Sequence, residues 1–137
     1  MSDIFRIRQP LDEALGFTVR LAEPRRMEAD LPLRGLAVNS VGRAHGGGLV
    51  SVADALMANL AGPPDDASGA QRAVTVDLHV HFLRAARGES LRFSAELLRA
   101  GRRVSFAECK VYDGEGMLVA QVSGSYATLD EEPPRGL

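Results

Sequence analysis

The chain has 137 residues, 45% of them hydrophobic and 25% charged, which is ordinary for a single soluble domain with a real hydrophobic core. A formal net charge of −2 provides no general attraction to nucleic acid or to an anionic membrane, and no stretch is apolar enough to span one. The single cysteine excludes a disulfide within the chain and a cysteine-based metal cluster, and the first residues lack the apolar run of a signal peptide, so we expect a cytoplasmic protein.

The first third of the chain predicts one short helix and two strands. The helix is expected in the segment PLDEALG, which ends at Gly16. Residues 17–23 and the weaker segment 26–33 have the pattern of strands, and Pro24 separates them. A glycine-containing loop then leads to the central segment of the sequence.

The central segment, residues 39–62, begins as a glycine-rich loop and continues as a helix without a broad polar stripe, which is typical of a buried helix. Asp54 lies in the middle of this helix. None of the residues three or four places away from it is basic, so no cation on the same helix can pair with it. Because an unpaired carboxylate is costly to bury, Asp54 needs a partner or a task.

Beyond the helix, the hydrophobic pattern changes to a period of two, which indicates half-buried strands. Gly101 and the segment DGEG mark tight turns between strands. The turn-rich residues 62–71 predict an exposed, mobile connection, and the acidic residues 130–137 predict a disordered end. Four strands are predicted, at residues 73–83, 90–97, 102–112 and 117–129.

This order of elements determines the expected fold. One long apolar helix must be covered, and the antiparallel strands are the only elements long enough to wrap it. We therefore predict an α+β hot-dog fold in a single domain of residues 1–137, with a curved antiparallel sheet of five to six strands around one central helix. Such a sheet has open edges, which proteins commonly hide by pairing with a second copy, so a homodimer is expected.

The start of the central helix carries the sequence AHGGG, in which Gly46 and Gly47 contribute no side chains. A ligand can therefore approach the free backbone N–H groups, which can polarise a carbonyl or hold a developing oxyanion. The alternative is that the glycines only permit close packing against the sheet. A phosphate-binding P-loop is disfavoured, because no Lys-Ser/Thr pair follows the glycines.

Asp54 comes eight residues after Gly46, and eight helical residues rise only about 12 Å. The acid therefore lies too far along the helix to act at the Gly46 amide of its own chain. In a two-fold dimer, Asp54 of the partner subunit can approach this helix start and complete a composite site. Without a dimer, the helix start and the acid are unrelated, and the alternative is that Asp54 simply bonds a buried backbone group or Ser51.

Asn39 comes six residues before His45-Gly46-Gly47, and Asp54 comes nine residues after the histidine. This pattern resembles the PaaI-like branch of the hot-dog acyl-CoA thioesterases. The downstream strand segments, from TVDLHVHFLRAARGE to QVSGSYATL, look like the rest of that family's sheet, so the resemblance covers nearly the whole domain.

The resemblance implies hydrolysis of the thioester between an acyl group and coenzyme A, which enters only as part of the substrate, with no metal or redox cofactor. It implies that the Gly46 N–H polarises the thioester carbonyl, and that Asp54 of the partner subunit acts as nucleophile or as general base on a water molecule. Asn39 and His45 would orient the water, the loop and the leaving side. Thr75 falls where related enzymes often have a hydroxyl that positions the water or the acid. A dimer or a dimer of dimers is implied as the assembly.

Substrate contacts are expected from four further residues. Gly47 lies beside the polarising amide, and Met57 is expected to line the acyl pocket together with Leu56, Leu60 and partner residues. Arg84 and Arg102, near predicted strand ends, are candidates for the phosphates of coenzyme A, and so are Arg87 and Arg103. The alternative is that these arginines are simply solvated.

Asp77, His79 and His81 alternate on one predicted strand face, and histidines two residues apart on a strand can share a metal ion. We expect instead a polar outer face or a subunit interface, and we predict no metal site.

Two other functions remain open from the sequence. One is a hydroxyacyl thioester dehydratase, which would pair His45 with Asp54. The other is a non-catalytic hot-dog module that binds acyl-CoA.

Overall fold

A six-stranded antiparallel sheet and one sixteen-residue helix dominate the structure, a computed structural model that describes residues 9–62 and 73–129. Much of the predicted mobile connection at 62–71, and the predicted disordered end at 130–137, lie outside these ranges. The helices are α1 (Pro10–Leu15) and α2 (Gly46–Ala61), and a 3-10 turn at Gly35–Ala37 precedes α2. The strands are β1 (Thr18–Glu23), β2 (Arg26–Pro32), β3 (Ala73–Phe82), β4 (Ser90–Arg99), β5 (Val104–Tyr112) and β6 (Leu118–Thr128).

The strand order across the sheet is β1-β2-β4-β5-β6-β3, and every neighbouring pair is antiparallel. Strand β3 follows α2 in the chain but lies at the edge of the sheet, beside β6, with Val80 opposite Val122. Helix α2 contacts strands β2 to β6, so the curved sheet wraps one side of it. The predicted hot-dog fold is confirmed.

The core lies between α2 and the inner face of the sheet. Alternate residues of each strand point to this face, because successive side chains of a strand face opposite sides. The sequence predicts a buried helix, and most of the apolar residues of α2 are buried in the single chain. The sheet covers a single face of α2, and Val50, Ser51, Asp54 and Ala55 stay partly exposed in the described chain. Among the largest fully buried side chains are Met27, Leu31, Leu56, Met57, Leu91, Phe93, Val111, Val122 and Tyr126.

Cys109 on β5 belongs to this core, and its thiol forms no disulfide. Burial raises the pKa of the Cys109 thiol to about 12. Because the thiolate is the reactive form, this side chain is inert in the folded protein. No helix among the described residues is long and apolar enough to cross a membrane.

His45 caps the start of α2. Its Nδ1 accepts a hydrogen bond from the Gly48 N–H at 3.1 Å, and so satisfies one of the backbone donors that a helix leaves free in its first turn. The backbone N–H of His45 donates to the Ala37 carbonyl at 2.8 Å. These two bonds tie the preceding loop to the helix and fix the direction in which the chain enters it.

Asp113 joins two connections at one end of the sheet. Its Oδ1 accepts the backbone N–H groups of Glu115 and Met117, and its Oδ2 accepts that of Arg87 at 3.0 Å. The Gly114 N–H donates in return to the Arg87 carbonyl at 2.9 Å. The β5–β6 turn therefore holds the β3–β4 loop, which also carries Arg84.

We predict that Asp113→Ala lowers the thermal unfolding midpoint at pH 7, because three backbone donors lose their acceptor. Hydrogen bonds from the backbone, that of Arg87 foremost, hold the pKa of the Asp113 carboxyl below its ordinary value of about 3.8. The stabilisation is thus present above that value and is lost as the pH falls through the lower pKa of the folded state. Calorimetry from pH 7 down to pH 2.5 should show the difference in unfolding midpoint between wild type and variant shrinking below about pH 4.

Glu115→Ala, on the same turn with an exposed side chain, is the control for Asp113→Ala. A difference that does not change with pH would contradict this account.

We predict that His45→Ala reduces the free energy of unfolding by about 1 kcal/mol, the usual cost of losing a helix cap. His45→Asn should recover most of this loss, because asparagine is a favoured capping residue. Urea denaturation followed by circular dichroism measures both variants. Equal losses in the two variants would show that the side chain of His45 stabilises the protein in some way other than capping.

Candidate active site

Asp54 on α2 is held by two hydroxyl groups of the sheet. Its Oδ1 accepts a hydrogen bond from Thr75 Oγ on β3 and another from the Tyr126 hydroxyl on β6, both at 2.9 Å. The acid therefore has its partners on neighbouring strands and not on its own helix. Ser51 is not a partner of Asp54, because its Oγ donates to the Gly47 carbonyl at 2.8 Å.

The second oxygen of Asp54 is open. In the described parts of the chain, no donor forms a hydrogen bond to Oδ2, and the side chain lies on the partly exposed face of α2. A carboxylate with one oxygen bonded and the other open can accept a proton from water or attack an electrophilic carbon.

Tyr126 is a site residue that the sequence patterns did not predict, because it lies inside a predicted strand. Its side chain is fully buried. Burial, together with the negative charge of Asp54, raises the pKa of its phenol, so the hydroxyl stays protonated as a donor. The signal that was available is chemical: a tyrosine on the inner face of a strand needs a polar partner for its hydroxyl.

The start of α2 presents unused backbone donors. Among the described residues, the N–H groups of Gly46 and Gly47 have no acceptor, whereas that of Gly48 bonds His45. A Cβ on Gly46 would lie 3.3 Å from Cζ of Phe82, whose ring is 60% exposed beside the helix start. Both interpretations of the glycines therefore apply at Gly46, since it is closely packed and its N–H is free.

Asn39 shapes the loop before the helix. Its Oδ1 accepts the backbone N–H groups of Val41 at 3.1 Å and Arg43 at 3.0 Å, and its own N–H donates to the Arg43 carbonyl. Neither Asn39 nor His45 forms a hydrogen bond with Asp54 in the described chain. Within one chain, the structure brings Thr75 to Asp54 but keeps the loop and helix start about two helical turns away from the acid.

The predicted substrate contacts fall in different places. Met57 is fully buried in the core beside Leu56, so a ligand reaches it only by displacing core packing, and the structure does not put it among the accessible residues of the site. Arg84 follows β3, whereas Arg102 lies between β4 and β5, at the other end of the ten-residue strand β4. A strand of that length spans about 33 Å, so the two arginines are not brought together within one chain.

The outer face of β3 carries Asp77, His79 and His81. The two imidazole rings lie edge to face with centroids 4.9 Å apart. The described residues contain no group of three or more His, Cys, Asp or Glu side chains that could hold a metal ion. The strand partners of these residues on β6 are polar, namely Ser125, Ser123 and Gln121.

Sequence comparisons identify relatives of the chain. The family model of the thioesterase superfamily matches residues 41–120. A Deinococcus radiodurans protein named "Putative esterase" is 34% identical over 125 residues, which cover 88% of this chain and 80% of that protein. The medium/long-chain acyl-CoA thioesterase YigI of Escherichia coli is 36% identical over 52 residues, 38% of this chain. The chain matches about a third of the length of YigI, 34%.

Solved structures share the fold. The BH2602 protein from Bacillus halodurans, crystallised with CoA, is 30% identical with a TM-score of 0.65, covering 74% of this chain and 66% of that one. The PaaI protein of Escherichia coli, from a phenylacetic acid degradation operon, is 20% identical with a TM-score of 0.75. The match covers 91% of this chain and 88% of the PaaI chain. The family match spans more than half of the chain, and it includes α2 with Asp54 and the helix start. The chain therefore belongs to the thioesterase superfamily, as its resemblance to the PaaI-like hot-dog proteins predicted.

Proposed function

We propose that this protein is an acyl-CoA thioesterase that hydrolyses the thioester of an aryl- or fatty-acyl-CoA, with a homodimer as the active unit. The observation that carries the proposal is the carboxylate of Asp54 on a partly exposed helix face: one oxygen is bonded, and the other has no donor among the described residues. Two relatives support the substrate class: YigI is named an acyl-CoA thioesterase, and BH2602 was crystallised with CoA. The expectation of a cytoplasmic protein stays a prediction.

The proposed reaction divides its tasks between two subunits. The free N–H of Gly46, at the positive end of the α2 dipole, polarises the thioester carbonyl and stabilises the oxyanion that forms there. Asp54 of the partner subunit either takes a proton from water, whose oxygen then attacks the carbonyl carbon, or attacks that carbon itself. When Asp54 acts as the base, the carbon–sulfur bond breaks and the coenzyme A thiolate takes the proton back from Asp54. When Asp54 attacks the carbon itself, the same bond breaks and leaves a mixed anhydride, which water hydrolyses at the acyl carbon. This water supplies the oxygen of the product acid, restores the Asp54 carboxylate and provides the proton for the thiolate.

The remaining predicted residues support this arrangement in different ways. Thr75 donates to the acid and so acts on its orientation. Asn39 and His45 hold the loop and the first turn of α2 in the shape that leaves the Gly46 N–H free. In the proposal, they orient the water and the leaving side through this loop, and Gly47 adds a second free N–H beside the first.

The dimer proposal rests on the edge strand β3. Strand β3 forms one edge of the described sheet with ten residues, whereas β1 forms the other edge with six. A long unpaired edge strand is a template on which a second chain can pair. Val76 and Phe82 on this strand are each 60% exposed in the single chain. Antiparallel pairing of two β3 strands about a two-fold axis would cover them and bring the α2 helices of the two subunits side by side. A dimer of dimers stays a prediction.

Arg84 is the stronger candidate for the phosphates of coenzyme A. Arg84 follows Phe82 by two residues, and the Phe82 ring packs beside Gly46 at the start of α2. The loop that carries Arg84 therefore lies at the helix-start end of the sheet. Arg102, at the opposite end, could serve only a site to which the partner subunit contributes.

The dehydratase alternative has an observation against it. Such chemistry would pair His45 with Asp54 across the two subunits, but Nδ1 of His45 accepts a hydrogen bond from the Gly48 N–H and is not available as a base toward a substrate.

We predict that Asp54→Asn lowers kcat/KM at least about a hundred-fold. The neutral amide of asparagine can neither accept the proton from water nor attack the thioester carbon. The rate of free-thiol release from a panel of aryl- and fatty-acyl-CoA esters measures kcat/KM for the variant and the wild type. The buried thiol of Cys109 does not add to this signal. Asp77→Asn, on the outer face of β3, is the matched control. Retained activity would remove Asp54 from the mechanism, enoyl product without thiol would favour a dehydratase, and binding without turnover would favour an acyl-CoA-binding module.

We predict that two inactive variants restore activity when their subunits mix. Gly46→Pro removes the polarising N–H at a helix position where proline is tolerated, and Asp54→Asn removes the acid. Half of randomly assorted dimers pair the two variants, and each such dimer has one intact composite site, so co-expression should recover about a quarter of the wild-type activity. A site within one chain would recover none. Light scattering of the wild type must show a dimer or larger assembly, since a monomer cannot form the proposed site.

A further inference from the structure

Two hydrogen-bond donors converge on a single oxygen of Asp54. Thr75 and Tyr126 lie directly opposite each other in the β3–β6 pair, and their hydroxyl groups both reach Oδ1 at 2.9 Å. We infer that Tyr126 is a positioning residue for the hydrolysis, which locks the Asp54 carboxylate through Oδ1 and so fixes the direction of the reactive Oδ2. This inference rests on the proposed function, in which Asp54 reacts with water or with the thioester.

The locking follows from the shape of a carboxylate. Cβ, Cγ and the two oxygens lie in one plane, and the carboxylate turns as a rigid group about the Cβ–Cγ bond. Holding Oδ1 in place therefore also sets the position of Oδ2. With Thr75 alone, Oδ1 is held from one direction, and the carboxylate can still swing about the Cβ–Cγ bond. The second donor, Tyr126 on a different strand, restricts this rotation. Positioning of a reacting atom is worth large factors in rate, since small displacements from the productive geometry slow the chemical step.

Tyr126 is suited to this task because, among the described residues, its hydroxyl has no hydrogen-bond partner other than Asp54. Its side chain is fully buried, so water does not reach the phenol, and a buried donor without an acceptor would be costly. Asp54 is the acceptor within its reach. Burial, and after it the negative charge of Asp54, raises the pKa of the phenol, which therefore stays protonated and donates a hydrogen bond to the carboxylate.

Gly124 makes room for this contact. It precedes Tyr126 by two residues, so both positions face the inner side of β6. A Cβ on Gly124 would lie 2.7 Å from Cε1 and 2.9 Å from the hydroxyl of Tyr126. The ring thus lies across the glycine, in space that any other residue would fill. The Gly124-Ser125-Tyr126 segment is therefore the sequence element that delivers the second donor.

Tyr126→Phe tests the inference with the removal of one oxygen atom. We expect kcat to fall about ten- to a hundred-fold, the range for a lost hydrogen bond to a charged group, while KM changes less than about two-fold. Tyr126 does not touch the substrate in the proposal, so the loss of its hydroxyl should change KM little. Tyr112→Phe, which changes the only other tyrosine of the chain, should leave both constants unchanged.

Gly124→Ala is the second variant, because it keeps the phenol but moves it. It should reproduce the loss in kcat of Tyr126→Phe, and the two changes combined should lose no more than either alone, since both break the same contact. Circular dichroism and thermal unfolding identify any variant that is not folded. Additive losses, a rise in KM with kcat unchanged, or full activity in Tyr126→Phe would each overturn the inference.

A measurement without substrate separates this inference from the proposed function. The carboxyl carbon resonance of Asp54 in carbon-13-labelled protein is identified by its absence in Asp54→Asn. It should move in Tyr126→Phe and stay in place in Tyr112→Phe. A resonance that does not move overturns the role of Tyr126. If the wild type hydrolyses no acyl-CoA, the proposed function fails, and the resonance alone then decides whether Tyr126 holds the acid.

Discussion

The structure depends on the packing of one apolar helix against one sheet. A sheet of six strands can wrap a single helix on one side only, and α2 therefore buries Val52, Leu56 and Met57 and leaves the opposite face partly open. Among the described strands, the same arrangement leaves β3 as an unpaired edge next to that open face. The acid, the free helix start and the sheet edge are consequences of one incompletely covered helix, and this explains why they occur together.

Within the residues that the structure describes, the Asp54 carboxylate is stabilised without a cation. Ion pairs at a partly buried site lose much of their attraction to the cost of removing both charges from water. Asp54 instead accepts two hydroxyl hydrogen bonds, which stabilise its charge without neutralising it or covering its second oxygen. An arginine in the place of Tyr126 would hold the carboxylate more strongly but would occupy both oxygens, which would defeat a chemical role.

The sequence predicted those features whose signals are local. The period of two in residues 73–82 and the glycines before α2 identify a strand and a helix start without knowledge of the fold, and the observed boundaries agree within a few residues. The bond from Tyr126 to Asp54 spans 72 residues and depends on β3 lying beside β6, which no local pattern reveals. Because α2 has no broad polar stripe, the sequence also could not indicate that its Met57 side faces the sheet. The separation of Arg84 from Arg102 likewise follows from topology.

The position of β6 has a consequence for the order in which this protein folds. It is the last strand of the described chain, yet it lies inside the sheet between β5 and β3. Strand β3 leaves the ribosome soon after α2 but has no partner until β6 arrives, so the edge of the sheet closes late, through contacts of long sequence separation. The acid of α2 acquires both of its hydroxyl partners only at that step. Nascent chains thus carry Asp54 in an unfinished environment, and the reactive arrangement is assembled by the final strand to be synthesised within the sheet.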